Sequence, residues 1–197
     1  MDIVISVGGS VLVPEISADR VSRFARVVEN IADEHSVTVV VGGGKTARDY
    51  IGVARELGSN DAMCDYLGID VTRINARLLI AALEGVAYPE PPTTYREAED
   101  ALADNKVPVM GGTAPGQTTD AVAAVFSEYT DADLLVYATS VDGVYTADPS
   151  DDADAEKLNR LTPEELVQIV MQTQMDAGTN SVVDALAAKI IERSHMR

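Results

Sequence analysis

The sequence predicts an α/β fold, a mostly parallel sheet covered by helices on both faces. Short runs of β-branched residues alternate with segments of helical period along the whole chain, the pattern of repeated strand–helix units. Three of those runs end in glycines, at Gly8-Gly9-Ser10, Gly42-Gly43-Gly44 and Gly111-Gly112-Thr113. Ligands on such sheets collect at the carboxyl ends of the strands, where all three turns fall. With 197 residues, 46% hydrophobic and 24% charged, the chain is long enough to bury a core as a single domain over 1–197, and disorder is not indicated.

Residues 2–7 read as a central strand ending at the first glycine pair. Ser17 stands where a helix cap belongs, and Val21, Phe24, Ala25, Val28 and Ile31 recur at helical spacing as far as Asp33. Val37 to Val41 form the second strand, which enters the triple glycine and then a helix ending near Leu57. A long helical segment follows from Asp61 to Leu83, and Gly68 makes it either two helices or one bent helix. A short strand near 86–88 precedes a loop with Pro89, Pro91 and Pro92. Thr94, with Glu97 three residues on, forms a capping box for a helix to Asp104. Val107 to Met110 is a strand, 121–129 a helix, and 133–138 another buried strand. Val141 to Tyr145 reads as a turn and short hairpin, and Asp148-Pro149 opens an acidic loop. Thr162-Pro163-Glu164-Glu165 starts a helix, with threonine as cap and proline at the first helical position. A last helix covers 182–193. An α/β chain would return with another strand there, so a C-terminal strand is expected beyond Arg197.

Net charge is 15 − 32 = −17, and the lysines are only Lys45, Lys106, Lys157 and Lys189. So acidic a surface repels nucleic acid and anionic lipid, and neither is an expected partner. No apolar run approaches the ~20 residues of a membrane helix, and the N-terminus lacks the basic region of a signal peptide. The single Cys64 excludes an internal disulfide. A cytoplasmic protein is expected. The lysine-poor acidic surface fits work in concentrated salt, where charges are screened over only a few Å.

A strand, a turn without side chains and a helix N-terminus make an anion site, because backbone N–H groups point outward and the helix dipole adds positive charge. A plain strand-to-helix hinge is the rival reading. Lys45 and Arg48 favour the anion site, since a first-turn cation otherwise opposes the dipole. Gly44-Lys45-Thr46 looks like the tail of a Walker A loop, but the glycine required five residues before Gly44 is Val39. G-x-G-x-x-G read from Gly42 fails at Ala47. From Gly111 to Asp120, exposed amides and hydroxyls precede a helix, with simple capping as the other role for the threonines. Asp120 is unusual beside phosphates unless it orients a cation or holds Mg²⁺. Asp65 reads as a solvated acid or a ligand group, and Tyr145 as a stacking partner for an adenine ring or as hairpin core. His35 and His195 have no nucleophile or acid in a recognisable arrangement. The acidic run from Asp148 to Asp154 lacks calcium-loop spacing and reads as a solvated loop.

Together these loops resemble the amino acid kinase family. Gly-Gly-Ser after the first strand, Gly-Gly-Gly-Lys after the second, and Val-Asp-Gly-Val-Tyr-Thr-Ala-Asp-Pro over 141–149 carry the likeness, which covers essentially the whole chain. Residues 5–14, 108–113 and 116–124 look like the archaeal uridylate kinase branch of that family. The resemblance implies a three-layer αβα sandwich of the carbamate kinase type, a homohexamer, and phosphoryl transfer from MgATP to UMP. Carried over by motif, ATP falls to Gly9, Ser10, Gly44, Arg48, Thr139, Ser140, Tyr145 and Asp148. UMP falls to Gly43, Asp65 and the loop Thr113, Ala114, Pro115, Gly116, Gln117, Thr118 and Thr119. Asp120, Lys45 and Arg48 take the catalytic roles, Asp120 by organising cations, and Mg²⁺ arrives with ATP rather than at a protein metal site.

Three positions depart from the family pattern. Ser6 stands where many members have lysine. Lys189 lies too far into the last helix to match the second family lysine, and Ser140 stands where the branch has asparagine. Cationic work then falls to Lys45, Arg48 and Mg²⁺. The remaining alternatives are a family kinase acting on an acylated amino acid, carbamate or isopentenyl phosphate, or a non-catalytic nucleotide-binding protein of this fold. The long polar loop with Asp65 favours a nucleotide-sized acceptor, and Asp120 favours an enzyme.

Overall fold

The computed structural model describes residues 1–147, 152, 154–175 and 183–194. Two valine-rich strands form its centre, β1 (Asp2–Val7) and β2 (Ser36–Val41), each buried at every residue but the first. They pair in parallel from Asp2 beside Ser36 to Val7 beside Val41. Strand β3 (Val109–Met110) flanks β2 and β4 (Leu134–Ala138) flanks β1, both parallel, giving the order β3-β2-β1-β4. Strands covered on both faces read as continuous apolar runs, which is why β1 and β2 show no alternation.

Alternate strand residues face opposite helical layers. Ile3, Ile5, Val7, Val37, Val39 and Val41 pack against α2 (Ala18–Ala32) and α4 (Asp61–Ala82), with Leu12 of the short α1 (Gly9–Leu12) at the edge. Val4, Val40 and Met110 turn the other way, onto α5 (Tyr95–Ala103) and α6 (Thr119–Thr130). Helix α3 (Gly44–Glu56) packs on α4. The expected αβα sandwich is therefore present. On the far side of α6 lies α8 (Ala185–Ser194), whose Ala187 and Ile190 meet Ala121 and Ala124, and α7 (Pro163–Met175) packs on α8 in turn.

Several local expectations resolve. Helix α4 runs unbroken for 22 residues through Gly68. That glycine lets α3 come close, since a Cβ there would stand 3.2 Å from Ile51 Cδ1. Thr162 and Glu165 form a reciprocal capping box, each side chain accepting from the other's backbone N–H. At α5, Thr94 caps Glu97 N as expected, but the Glu97 carboxylate reaches back to Thr93, one residue further, accepting from its N–H and its hydroxyl. Ser17 occupies the N-cap of α2 without a side-chain hydrogen bond. The strand expected near 86–88 is a single parallel bridge between Ala87 and Val107. Val144–Tyr145 (β5) pairs antiparallel with Lys157–Leu158 (β6), so the hairpin closes across a longer loop than 141–145.

One expectation is corrected. The strand at 133–138 is half-exposed, with Val136 37% accessible. Its apolar composition suggested burial, but β4 ends the sheet, with β1 its one strand neighbour among the described residues.

Candidate active site

The glycine turns after β1 and β2 are interlocked. A Cβ on Gly9 would lie 2.2 Å from Gly44 N and 2.6 Å from Gly42 O, and one on Gly42 would lie 2.7 Å from Gly9 N. Gly44 also has a φ of +64°, a conformation unfavourable to any residue with a Cβ. Glycine at 9, 42 and 44 is thus required by contact between two backbones. Neither helix start is capped by a side chain: Gly8 and Gly43 occupy the N-caps of α1 and α3. First-turn amides lack intrahelical partners, so such an end suits an anion.

Arg48 leans across the joint and donates from Nη2 to Ser10 Oγ at 3.5 Å, which brings two of the sequence-predicted residues together. Lys45 takes another course. Its ammonium pairs with Asp49 at 2.6 Å one turn along α3, and both side chains stand mostly in solvent. The hydrogen bond from Gly8 N to Ala138 O, 3.0 Å, puts the end of β4 beside the first turn, so exposed Thr139 and Ser140 follow directly there. Tyr145 donates its hydroxyl to Asp142 at 2.9 Å, and Lys157 reaches the same carboxylate at 3.1 Å. These two bonds, Tyr145 first, hold the Asp142 carboxyl below its usual range. Asp148 lies outside the described residues.

The loop from Gly111 to Thr118 is rooted on Thr72 of α4, which also lies beside Gly43 of the joint. Asp65, in the first half of α4, accepts from Gly116 N at 2.8 Å and so meets the loop that the sequence pairs it with. Gly116 has a φ of +77°, which that turn demands. Thr113 donates to Gln117 Oε1 at 3.1 Å across the loop, while Ala114 at the tip is exposed and Pro115 partly so. Thr118 is the N-cap of α6, accepting from Ala121 N at 3.0 Å, and Thr119 begins the helix.

Asp120 sits in the first turn of α6, partly buried. Ser6, itself fully buried in β1, donates to Asp120 Oδ1 at 2.9 Å. Burial pushes the carboxyl up to about 6 from its ordinary 3.8, the Ser6 hydrogen bond opposes that, and the nearby Asp184 charge adds to it. Tyr137 of β4 donates its hydroxyl to the Asp120 carbonyl oxygen at 3.1 Å. Burial first, then the charges of Asp120 and Asp184, raise that phenol as well. Among the described residues, no group of three or more His, Cys, Asp or Glu side chains is placed to hold a metal ion.

The site thus joins two uncapped, anion-ready turns, a polar loop and a partly buried acid held by Ser6. The Amino acid kinase family model matches residues 1–197. This chain belongs to the amino acid kinase family. The uridylate kinase of Methanococcoides burtonii is 56% identical over 196 residues, covering 100% of this chain and 84% of that protein. The uridylate kinase of Haloarcula marismortui is 54% identical over 198 residues, covering 100% and 87%. Among solved structures, that of uridylate kinase from Archaeoglobus fulgidus superposes with a TM-score of 0.91 at 50% identity, over 100% of this chain and 88% of the other.

In this amino acid kinase family member, four further side chains serve the site without a sequence signal strong enough to single them out. Thr72 and Asn75 of α4 bond to the glycine turns, Arg73 donates from Nε to Gly112 O at 3.2 Å, and Asp184 accepts from the Thr118 hydroxyl while capping α8 at Leu186 N and Ala187 N. The available clue is polarity on a buried stripe: Thr72 and Asn75 lie among Ile69, Val71, Ala76 and Leu79, all buried.

Proposed function

We propose that this chain is a UMP kinase, moving the γ-phosphoryl group of ATP to UMP to give UDP and ADP. What supports the reading is the interlocked joint of Gly9 and Gly42–Gly44, with Asp120 nearby and the loop tethered to Asp65. The relatives at 53–56% identity over nearly the whole chain carry the name uridylate kinase.

ATP is bound by Gly9, Ser10, Gly44 and Arg48 at its phosphates and by Thr139, Ser140, Tyr145 and Asp148 on the side of β4 and the hairpin. UMP is bound by Gly43, Asp65 and residues 113–119. A UMP phosphate oxygen attacks the γ-phosphorus, and the bond to the β,γ-bridging oxygen breaks. The acceptor oxygen is already anionic, so no base need remove a proton, and catalysis is in-line positioning plus charge neutralisation. Mg²⁺ enters as part of the MgATP substrate. Asp120 orients the cations brought with ATP, Arg48 supplies positive charge at the joint, and Lys45 adds its own only on leaving the exposed pair with Asp49. Losing one preorganised contact to developing charge costs roughly 3 kcal/mol in the transition state.

The working form is a homohexamer in the cytoplasm, serving pyrimidine nucleotide synthesis in concentrated salt. No helix among the described residues is long and apolar enough to cross a membrane. A chain that stays folded and active in dilute buffer overturns the salt assignment. A coupled ADP-release assay in high salt with UMP, CMP, acetylglutamate and isopentenyl phosphate tests the function. UMP should be the preferred acceptor, and turnover confined to a non-nucleotide acceptor refutes it.

A further inference from the structure

Both halves of the site hang from one face of α4. Asn75 Nδ2 donates to Gly42 O at 2.9 Å and to Gly43 O at 3.3 Å. Thr72 Oγ1 accepts from Gly112 N at 2.7 Å. Its single proton goes to Ile69 O, 2.6 Å away in its own helix, so toward the loop the hydroxyl acts only as an acceptor. Both side chains are buried, 5% and 6% exposed, where an unmade hydrogen bond is expensive and a made one is rigid.

The bonds to Asn75 have a directional consequence. In a trans peptide the C=O and the following N–H point to opposite sides. No peptide bond among the described residues is cis, so holding the carbonyls of Gly42 and Gly43 toward α4 turns the N–H groups of Gly43 and Gly44 away from it. Those two amides are the ones the proposed function gives to UMP and to ATP. Gly112 is held on both of its polar atoms, with N–H on Thr72 and C=O on Arg73 Nε, so the root of the acceptor loop is fixed in register with the same helix.

We propose that Asn75 and Thr72 are positioning residues for phosphoryl transfer. Asn75 aims the Gly43 and Gly44 amides at the transferring phosphoryl group, and Thr72 sets the acceptor loop at a constant distance from them. Neither touches substrate. The inference rests on the UMP kinase reading and assigns its geometry to one rigid element.

The test separates KM from kcat in Thr72→Val, Thr72→Ser and Asn75→Asp, with urea unfolding measured in parallel. Thr72→Val keeps the shape and removes the acceptor oxygen. Its KM for UMP should rise about tenfold, the ~1.4 kcal/mol of one lost hydrogen bond, while its KM for ATP stays within about twofold. Thr72→Ser restores the UMP value. Should Thr72→Val not fold, Arg73→Met loosens Gly112 from the partly exposed side and should give the same split. Asn75→Asp sets a carboxylate against two carbonyl oxygens. At pH 8 its kcat should fall about 100-fold, a loss of the size seen for one preorganised donor. Relative to wild type, it should recover at pH 5.5, where the protonated carboxyl donates again. Lower stability with an unmoved KM for UMP, no rescue by serine, or an Asn75→Asp defect independent of pH each overturns the proposal. A wild-type chain that ignores UMP refutes the UMP reading alone, and the same split is then read with the acceptor that the chain does use.

Discussion

Asp120→Asn removes a charge that the fold holds at a disadvantage. The carboxyl titrates at about 6 in the folded chain against an ordinary 3.8, chiefly because burial penalises the ionised form. The difference of 2.2 units, at 1.36 kcal/mol each, places about 3 kcal/mol of destabilisation on wild type above pH 6. Between pH 3.8 and about 6 the folded carboxyl keeps its proton while the unfolded one has lost it, so this penalty builds as pH rises through that window and is complete above it. Asparagine has nearly the same shape and still offers Oδ1 to the Ser6 hydroxyl. The variant should therefore be up to ~3 kcal/mol more stable than wild type at pH 7.5 in urea unfolding, with the gap closing toward pH 4. On the proposed mechanism its kcat should fall at least ~100-fold, because the group assigned to organise the cations has become neutral. A variant less stable than wild type at pH 7.5, or a gap unchanged between pH 7.5 and pH 4, refutes the reasoning. The wild-type rate should also fall as pH drops through about 6, as Asp120 gains its proton.

Gly9→Ala places a methyl group 2.2 Å from Gly44 N, where only backbone movement makes room, and thermal unfolding should register a loss of about 3 kcal/mol or more; a melting point near wild type overturns the interlock. Lys45→Met removes an exposed ion pair with Asp49, so stability should change by less than ~0.5 kcal/mol while kcat falls; an unchanged kcat removes Lys45 from the mechanism. Thr162→Ala deletes half of the α7 capping box, far from the glycine turns in sequence, and should cost ~1 kcal/mol in urea unfolding with kcat and both KM values unaltered.

What could be read from the sequence was local or repetitive. Strands β1 and β2 announce themselves because a strand buried on both faces is nearly all apolar, broken here only by Ser6 and Thr38 after the first residue, and the Thr162–Glu165 box lies within four residues. Glu97 shows how fine the limit is. Two neighbouring amides lay within its reach, and it bonded to Thr93 instead of closing on Thr94. The exposure of β4 goes with its having β1 as its one strand neighbour among the described residues, which its own composition does not encode. Of the site, the glycine turns were legible with a plain hinge as their rival, and the pairing of Asp65 with its loop came from the family resemblance, since a helical aspartate reads by itself as a solvated acid. Thr72, Asn75 and Asp184 were not legible, because each acquires its role from a partner 33 to 66 positions away. Ser6 shows the same limit: a departure from the family pattern was visible, but its hydrogen bond to Asp120 appears only when β1 and α6 are packed together.

Helix α6 is squeezed from both sides, with Val122, Ala123 and Phe126 against the sheet and Ala121 and Ala124 against α8. Side chains at close-packed density on both faces leave such a helix little clearance to slide or roll alone. Asp120 stands at the head of that rod, and just before it Thr118 donates to Asp184 at the start of α8, so the two helix ends are tied together. A shift of α6 would therefore have to be shared with α8, the helix packed on its far side.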